Sequence, residues 1–107
     1  MAKTIDLIDS TCEKLKETLL AKNKGYGESV FCENVFFPNA GKTLFIAARI
    51  SDKIHRIRNL EDNIYNATFD DETMKRWKEE LADALLDAAG YFVLWCVHEK
   101  QIRNQDV

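Results

Sequence analysis

The sequence has little excess charge of either sign: 15 Lys and Arg stand against 18 Asp and Glu, a net charge of -3. No global field draws such a chain to a nucleic-acid backbone or an anionic membrane, so a polyanion is not the expected partner. A small phosphate ligand needs only a local basic patch and stays open. Long apolar runs are missing too. The longest strongly apolar stretch, Ala88 to Val97, falls short of the ~20 residues that span a bilayer. Met1 to Asp6 lacks a signal-peptide core, so a cytoplasmic location is expected. Cys12, Cys32 and Cys96 include no CxxC pair, which excludes a legible disulfide framework or zinc site and leaves them as small buried hydrophobes. His55 and His98 have no second histidine or cysteine at ligand spacing and are assigned structural or surface roles. No repeat, low-complexity tract or strand-like alternation is visible.

What is present suits one packed domain covering residues 1–107, with 46% hydrophobic and 31% charged residues. Ile5, Leu7, Ile8, Cys12, Leu15, Leu19 and Leu20 recur mostly at three- and four-residue steps and predict a first helix over 3–22. Gly25 and Gly27 are expected to end it. Tyr26 to Gly41, punctuated by Pro38 and Asn39, reads as a loop whose aromatics anchor it to the core. Ile46, Ile50, Ile54 and Ile57 define one face of a second helix over 42–60, with Arg49, Asp52, Lys53 and Arg56 on a neighbouring stripe. Glu61 to Asp71 reads as a connection whose last acidic residues cap the next helix. That third helix, 72–103, is apolar nearly all round between Leu81 and Val97, with Leu81, Leu85, Ala88, Phe92 and Trp95 on one side. The fold class is all-α, a small bundle of three main helices.

Glu80, Asp83 and Asp87 follow one another at three- and four-residue spacing and project from successive turns of the third helix. Within so apolar a segment, unpaired carboxylates would be costly and would raise one another's pKa unless a cation held them ionised. A hard divalent cation such as Mg2+ answers both requirements, because it takes oxygen ligands and keeps positions for water and phosphate. An ion network is the other answer, in which the two aspartates pair with Arg49, Lys53 or Arg56. Those three cations sit on successive turns and suit a phosphate chain, and they suit a solvated helix face equally.

The stretch from Glu79 to Leu86, Glu-Glu-Leu-Ala-Asp-Ala-Leu-Leu, resembles the Glu-Glu-Leu-Ala-Asp-Val-Leu segment of the MazG-like all-α nucleoside triphosphate pyrophosphohydrolases. There the Glu-x-x-Asp pair binds magnesium, which maps onto Glu80 and Asp83. The wider order of Lys22-Asn23, Tyr26-Gly27, Arg49, Asp52-Lys53, Arg56-Ile57, Asp83, Asp87 and Tyr91 is similar to the related phage and bacterial nucleotide modification associated domain family. The resemblance implies an all-α bundle, usually dimeric, that acts on or binds nucleotides. The chain departs from the MazG-like pattern in lacking an earlier Glu-x-x-Glu pair between Arg49 and Leu60, for which Asp52 or Glu33 would have to substitute.

Two functions are therefore expected. One is magnesium-dependent hydrolysis of a nucleoside triphosphate, with Glu80 and Asp83 as catalytic residues, Glu80, Asp83 and Asp87 on the metal, and Arg49, Lys53, Arg56 and Lys22 on the phosphates. Tyr26, Phe31 and Tyr91 are the candidate base-stacking aromatics. The other is nucleotide binding or sequestration without hydrolysis. A purely structural helical module, with Trp77 and Trp95 in an oligomer core, is a third. In each case a homo-oligomer, most simply a homodimer burying Trp95 or its neighbours, is expected, because a three-helix protomer has too few partners for its apolar third helix.

Overall fold

Every described residue except Lys3, Gly41 and Asp70 is helical, which follows from apolar steps of three and four that never settle into alternation. The structure, a computed structural model, describes residues 3–26, 41–66 and 70–105. It contains α1 (Thr4–Tyr26), α2 (Lys42–Asn66) and α3 (Asp71–Gln105), and no strand among the described residues. The expected loop between Tyr26 and Gly41, with Phe31, Cys32 and Glu33, lies outside them.

Two helix boundaries differ from expectation. α1 runs to Tyr26, through Gly25. α2 continues six residues past Leu60 to Asn66, so Glu61 to Asn66 is helix rather than connection. The reason is that Leu60 is buried and Ile64, four residues on, is half-buried, so the apolar stripe outlasts the Asn- and Asp-rich composition that suggests a turn.

The chain forms two compact units, Met1–Cys32 and Glu33–Val107. In the first, α1 carries an apolar stripe of Ile5, Ile8, Cys12, Leu15 and Leu19 at alternating steps of three and four. Its N-terminal half is exposed, and Leu15 and Leu19 are half-buried. The Lys3 carbonyl accepts from the Leu7 amide at 3.1 Å and starts the helix.

In the second unit, α2 and α3 pack against each other as a helical hairpin. Asp70 caps α3: its Oδ1 accepts from the Thr73 amide at 2.7 Å, and its carbonyl accepts from the Met74 amide at 3.1 Å. This is the cap expected from the acidic end of the connection. At 35 residues, α3 extends about 52 Å against about 37 Å for the 25 residues of α2.

The hairpin seam has a seven-residue period. On α2, Ile46, Ile50, Lys53, Ile57, Leu60 and Ile64 alternate steps of four and three. On α3, Trp77, Leu81, Ala84, Ala88, Tyr91, Trp95 and His98 do the same. Ile46, Ile50, Leu60, Ala84, Ala88 and His98 are buried. The buried apolar seam residues are large on α2 and alanines on α3, and the 3.5-residue period is the one that keeps two helices in register along a supercoiled seam.

That seam covers less of α3 than the apolar composition suggests. Leu85 and Phe92, three or four residues from Ala88 and Trp95 and so on the same side of the helix, are 51% and 48% exposed. Cys12 and Cys96 are exposed rather than buried. The apolar composition of α3 also brings an 18-residue window up to the length and hydropathy of a membrane-spanning helix, with 22% of it buried. The run from Leu81 to His98 nevertheless carries Asp83 and Asp87.

Candidate functional site, a charged edge of the helical hairpin

Lys53 occupies a seam position of α2 at which the period calls for an apolar residue, and this places its amine beside α3. Lys53 Nζ lies 3.5 Å from Asp87 Oδ2, with the side chains 27% and 34% exposed. Asp87 is adjacent in sequence to the buried Ala88 and one turn from the buried Ala84. The small methyls on that face leave room for a lysine stem to lie along the seam and bring its ammonium group to the edge.

Around this pair the two charged stripes run along the same hairpin. On α2, Arg49 and Arg56 flank Lys53 at four and three residues and are exposed. The Arg49 guanidinium carbon sits 5.1 Å from the centroid of the Phe45 ring. This cation–π contact orients the side chain and leaves the guanidinium edge available for hydrogen bonds. Phe45 was not among the candidates read from sequence, although its position four residues before an arginine on one helix is the legible signal for such a contact.

On α3, Glu80 is half-buried, Asp83 is exposed and Asp87 is half-buried. Asp87 is therefore engaged in the ion network envisaged as the alternative to a metal, while Glu80 and Asp83 show no hydrogen bond or ion pair among the described residues. Both are hard oxygen donors on successive turns, which fits the chemistry of Mg2+ but supplies only two carboxylates. Among the described residues no group of three His, Cys, Asp or Glu converges as a metal-holding set. Asp52, weighed as a substitute ligand, is exposed on α2, and Glu33 lies outside the described residues.

The remaining candidates are placed as follows. Tyr91 is half-buried on the inner stripe of α3, one turn beyond Asp87. Lys22 is exposed on α1, in the other unit, and has an interaction of its own. Tyr26 is the last residue of α1, and Phe31 lies outside the described residues. A concavity of about 470 Å³ on the second unit is lined by Asp71, Met74, Lys75, Lys78, Glu79 and Ala82. It contains none of the candidate residues; it is an open groove along the N-terminal half of α3.

Comparison with known proteins finds no matching family model, no similar curated protein and no similar solved structure.

Proposed function

We propose that the charged edge of the α2–α3 hairpin handles the phosphates of a nucleotide, as a magnesium-dependent nucleoside triphosphate pyrophosphohydrolase of MazG-like type that works as a homo-oligomer. The observation that carries this reading is the Lys53–Asp87 pair at 3.5 Å, which sets the Arg49–Lys53–Arg56 stripe and the Glu80–Asp83–Asp87 stripe along one hairpin. An anionic phosphate chain needs the first stripe and its metal partner the second. Arg49, held over Phe45, offers a fixed guanidinium fork, and Arg56 a second one about two turns away.

Lys53 has the central role, because a ligand phosphate and Asp87 compete for the same ammonium. Phosphate binding would draw Lys53 away from Asp87 and loosen the pair next to Asp83. The metal, when bound, would polarise the phosphate and lower the pKa of a bound water. Glu80 and Asp83 are the residues that would hold it, with the remaining donors coming from outside the described residues.

A second reading, nucleotide binding without hydrolysis, is favoured by one specific observation: Asp87 already pairs with Lys53, and no third carboxylate joins Glu80 and Asp83 among the described residues. Pyrophosphate release from a panel of nucleoside triphosphates, with and without magnesium, separates the two. Magnesium-dependent release supports hydrolysis. Calorimetric binding without release supports the second reading, and neither binding nor release rejects both.

A further inference from the structure

α3 carries a second heptad-spaced stripe, flanking the one that faces α2. Asp71, Lys75, Lys78, Ala82, Leu85, Ala89, Phe92, Cys96, Glu99 and Arg103 alternate steps of four and three along the whole helix. All are exposed except Ala89 and Glu99, which are half-buried. The middle is apolar, with Leu85 at 51% and Phe92 at 48% exposure and with Val93 and Val97 alongside at 39% and 37%. The ends are charged in a definite order: acidic then basic at the N-terminal end, acidic then basic again at the C-terminal end.

We infer that this outer stripe is the contact between two copies of the chain, whose α3 helices pack antiparallel with Ala82 facing Phe92 of the second copy and Leu85 facing its Ala89. The inference rests on the self-association proposed above and specifies its surface and register. Three observations support it. First, the apolar layers then match in size, each alanine meeting a large side chain, as close packing across a helical seam requires. Second, the same register sets Lys75 against the second copy's Glu99, and Asp71 against its Arg103, so every layer with charge on both sides is complementary. A parallel arrangement would instead stack Lys75, Lys78, Phe92 and Glu99 on themselves, with like charges facing. Sliding the antiparallel helices one heptad in one direction faces Lys78 with Arg103; sliding them in the other leaves Lys75 against Phe92 and no ion pair. Charge thus selects one register among those that the apolar spacing permits.

Third, the groove of about 470 Å³ lies on this stripe, with Asp71, Lys75, Lys78 and Ala82 among its lining residues. In the stated register it receives the second copy's Phe92, Cys96, Glu99 and Arg103, which make up the other end of the same stripe. The Trp95 indole N–H donates to Glu99 Oε1 at 3.2 Å and so steadies the carboxylate that would meet Lys75. A two-fold axis makes each contact occur twice.

Sedimentation velocity on the full chain, at low salt and across micromolar concentrations, tests this. Wild type should sediment as a dimer of the 12.4 kDa chain. Lys75→Glu and Glu99→Lys should each weaken the dimer by about tenfold or more in Kd, with unchanged circular dichroism, because each brings two like-charge contacts into the seam. Lys75→Glu combined with Glu99→Lys should recover the dimer. In a Cys12→Ser, Cys32→Ser background, Lys78→Cys should form an intermolecular disulfide with native Cys96 on mild oxidation, since these positions face each other. A monomer throughout overturns the inference together with the self-association. A dimer indifferent to both charge reversals overturns this surface while self-association stands. Flotation of the wild type with neutral phosphatidylcholine vesicles overturns it in favour of α3 as a membrane helix.

Discussion

Lys53 Nζ and Asp87 Oδ2, at 3.5 Å, join the two helices of the hairpin at a seam position that would otherwise be apolar. A lysine there gives up packing for charge at the same edge that carries Arg49, Arg56, Glu80 and Asp83. Because both partners remain about a third exposed, water and salt screen them. A double-mutant cycle of Lys53→Met and Asp87→Asn should therefore give a coupling of only about 0.5 kcal/mol at low salt, and less at high salt. Lys53→Met alone should leave thermal stability unchanged or raised, since it completes the apolar stripe.

The seam itself should be far more sensitive. Ile46 is 0% exposed, whereas Leu44, two residues earlier on the same helix, is 65% exposed. Ile46→Ala should destabilise the fold by roughly 2–4 kcal/mol through lost transfer energy and a residual cavity. Leu44→Ala should lie within about 0.5 kcal/mol of wild type. Urea unfolding of the two variants checks the assignment of faces on α2.

The cap of α3 has a pH signature. The Thr73 backbone amide donates to the Asp70 carboxylate and holds its pKa below the ordinary 3.8, helped by the Thr73 side chain and the Arg76 charge. A depressed folded pKa means that the contribution is fully present above the unfolded value and is lost as pH falls through the folded one. Asp70→Ala should lower the melting temperature at neutral pH. Asp70→Asn keeps the acceptor, so it should retain the cap and lose this part of the acid dependence. Melting curves between about pH 3 and 7 read both.

The all-α architecture and the three helices were legible in the sequence because Ile46, Ile50, Ala84 and Ala88 repeat at helical steps without a competing period. How much of the apolar side of α3 is covered by α2 was not. Leu81, Leu85, Ala88 and Phe92 are all apolar, and composition alone does not say which of them α2 covers, because the seven-residue period of α2 is interrupted by Lys53. The end of α2 is not legible because Asp62, Asn63 and Asn66 weigh toward a turn, while the decisive residues are the buried Leu60 and half-buried Ile64. At the candidate site the two charged stripes could be read from spacing, but the partner of Asp87 could not. Sequence left Arg49, Lys53 and Arg56 equivalent, and only the packing of α2 on α3 singles out Lys53.

The central claim, that this charged edge handles nucleotide phosphates, is tested most directly by calorimetric titration of nucleoside triphosphates with and without magnesium. Wild type is compared with Asp83→Asn, with Glu99→Lys serving as the control for any effect of self-association. The account predicts saturable, magnesium-enhanced binding to wild type and to Glu99→Lys, weakened about tenfold or more in Asp83→Asn, equivalent to about 1.4 kcal/mol. Binding that is identical in all three proteins with and without magnesium, or no binding of any nucleotide to the wild type, would contradict it.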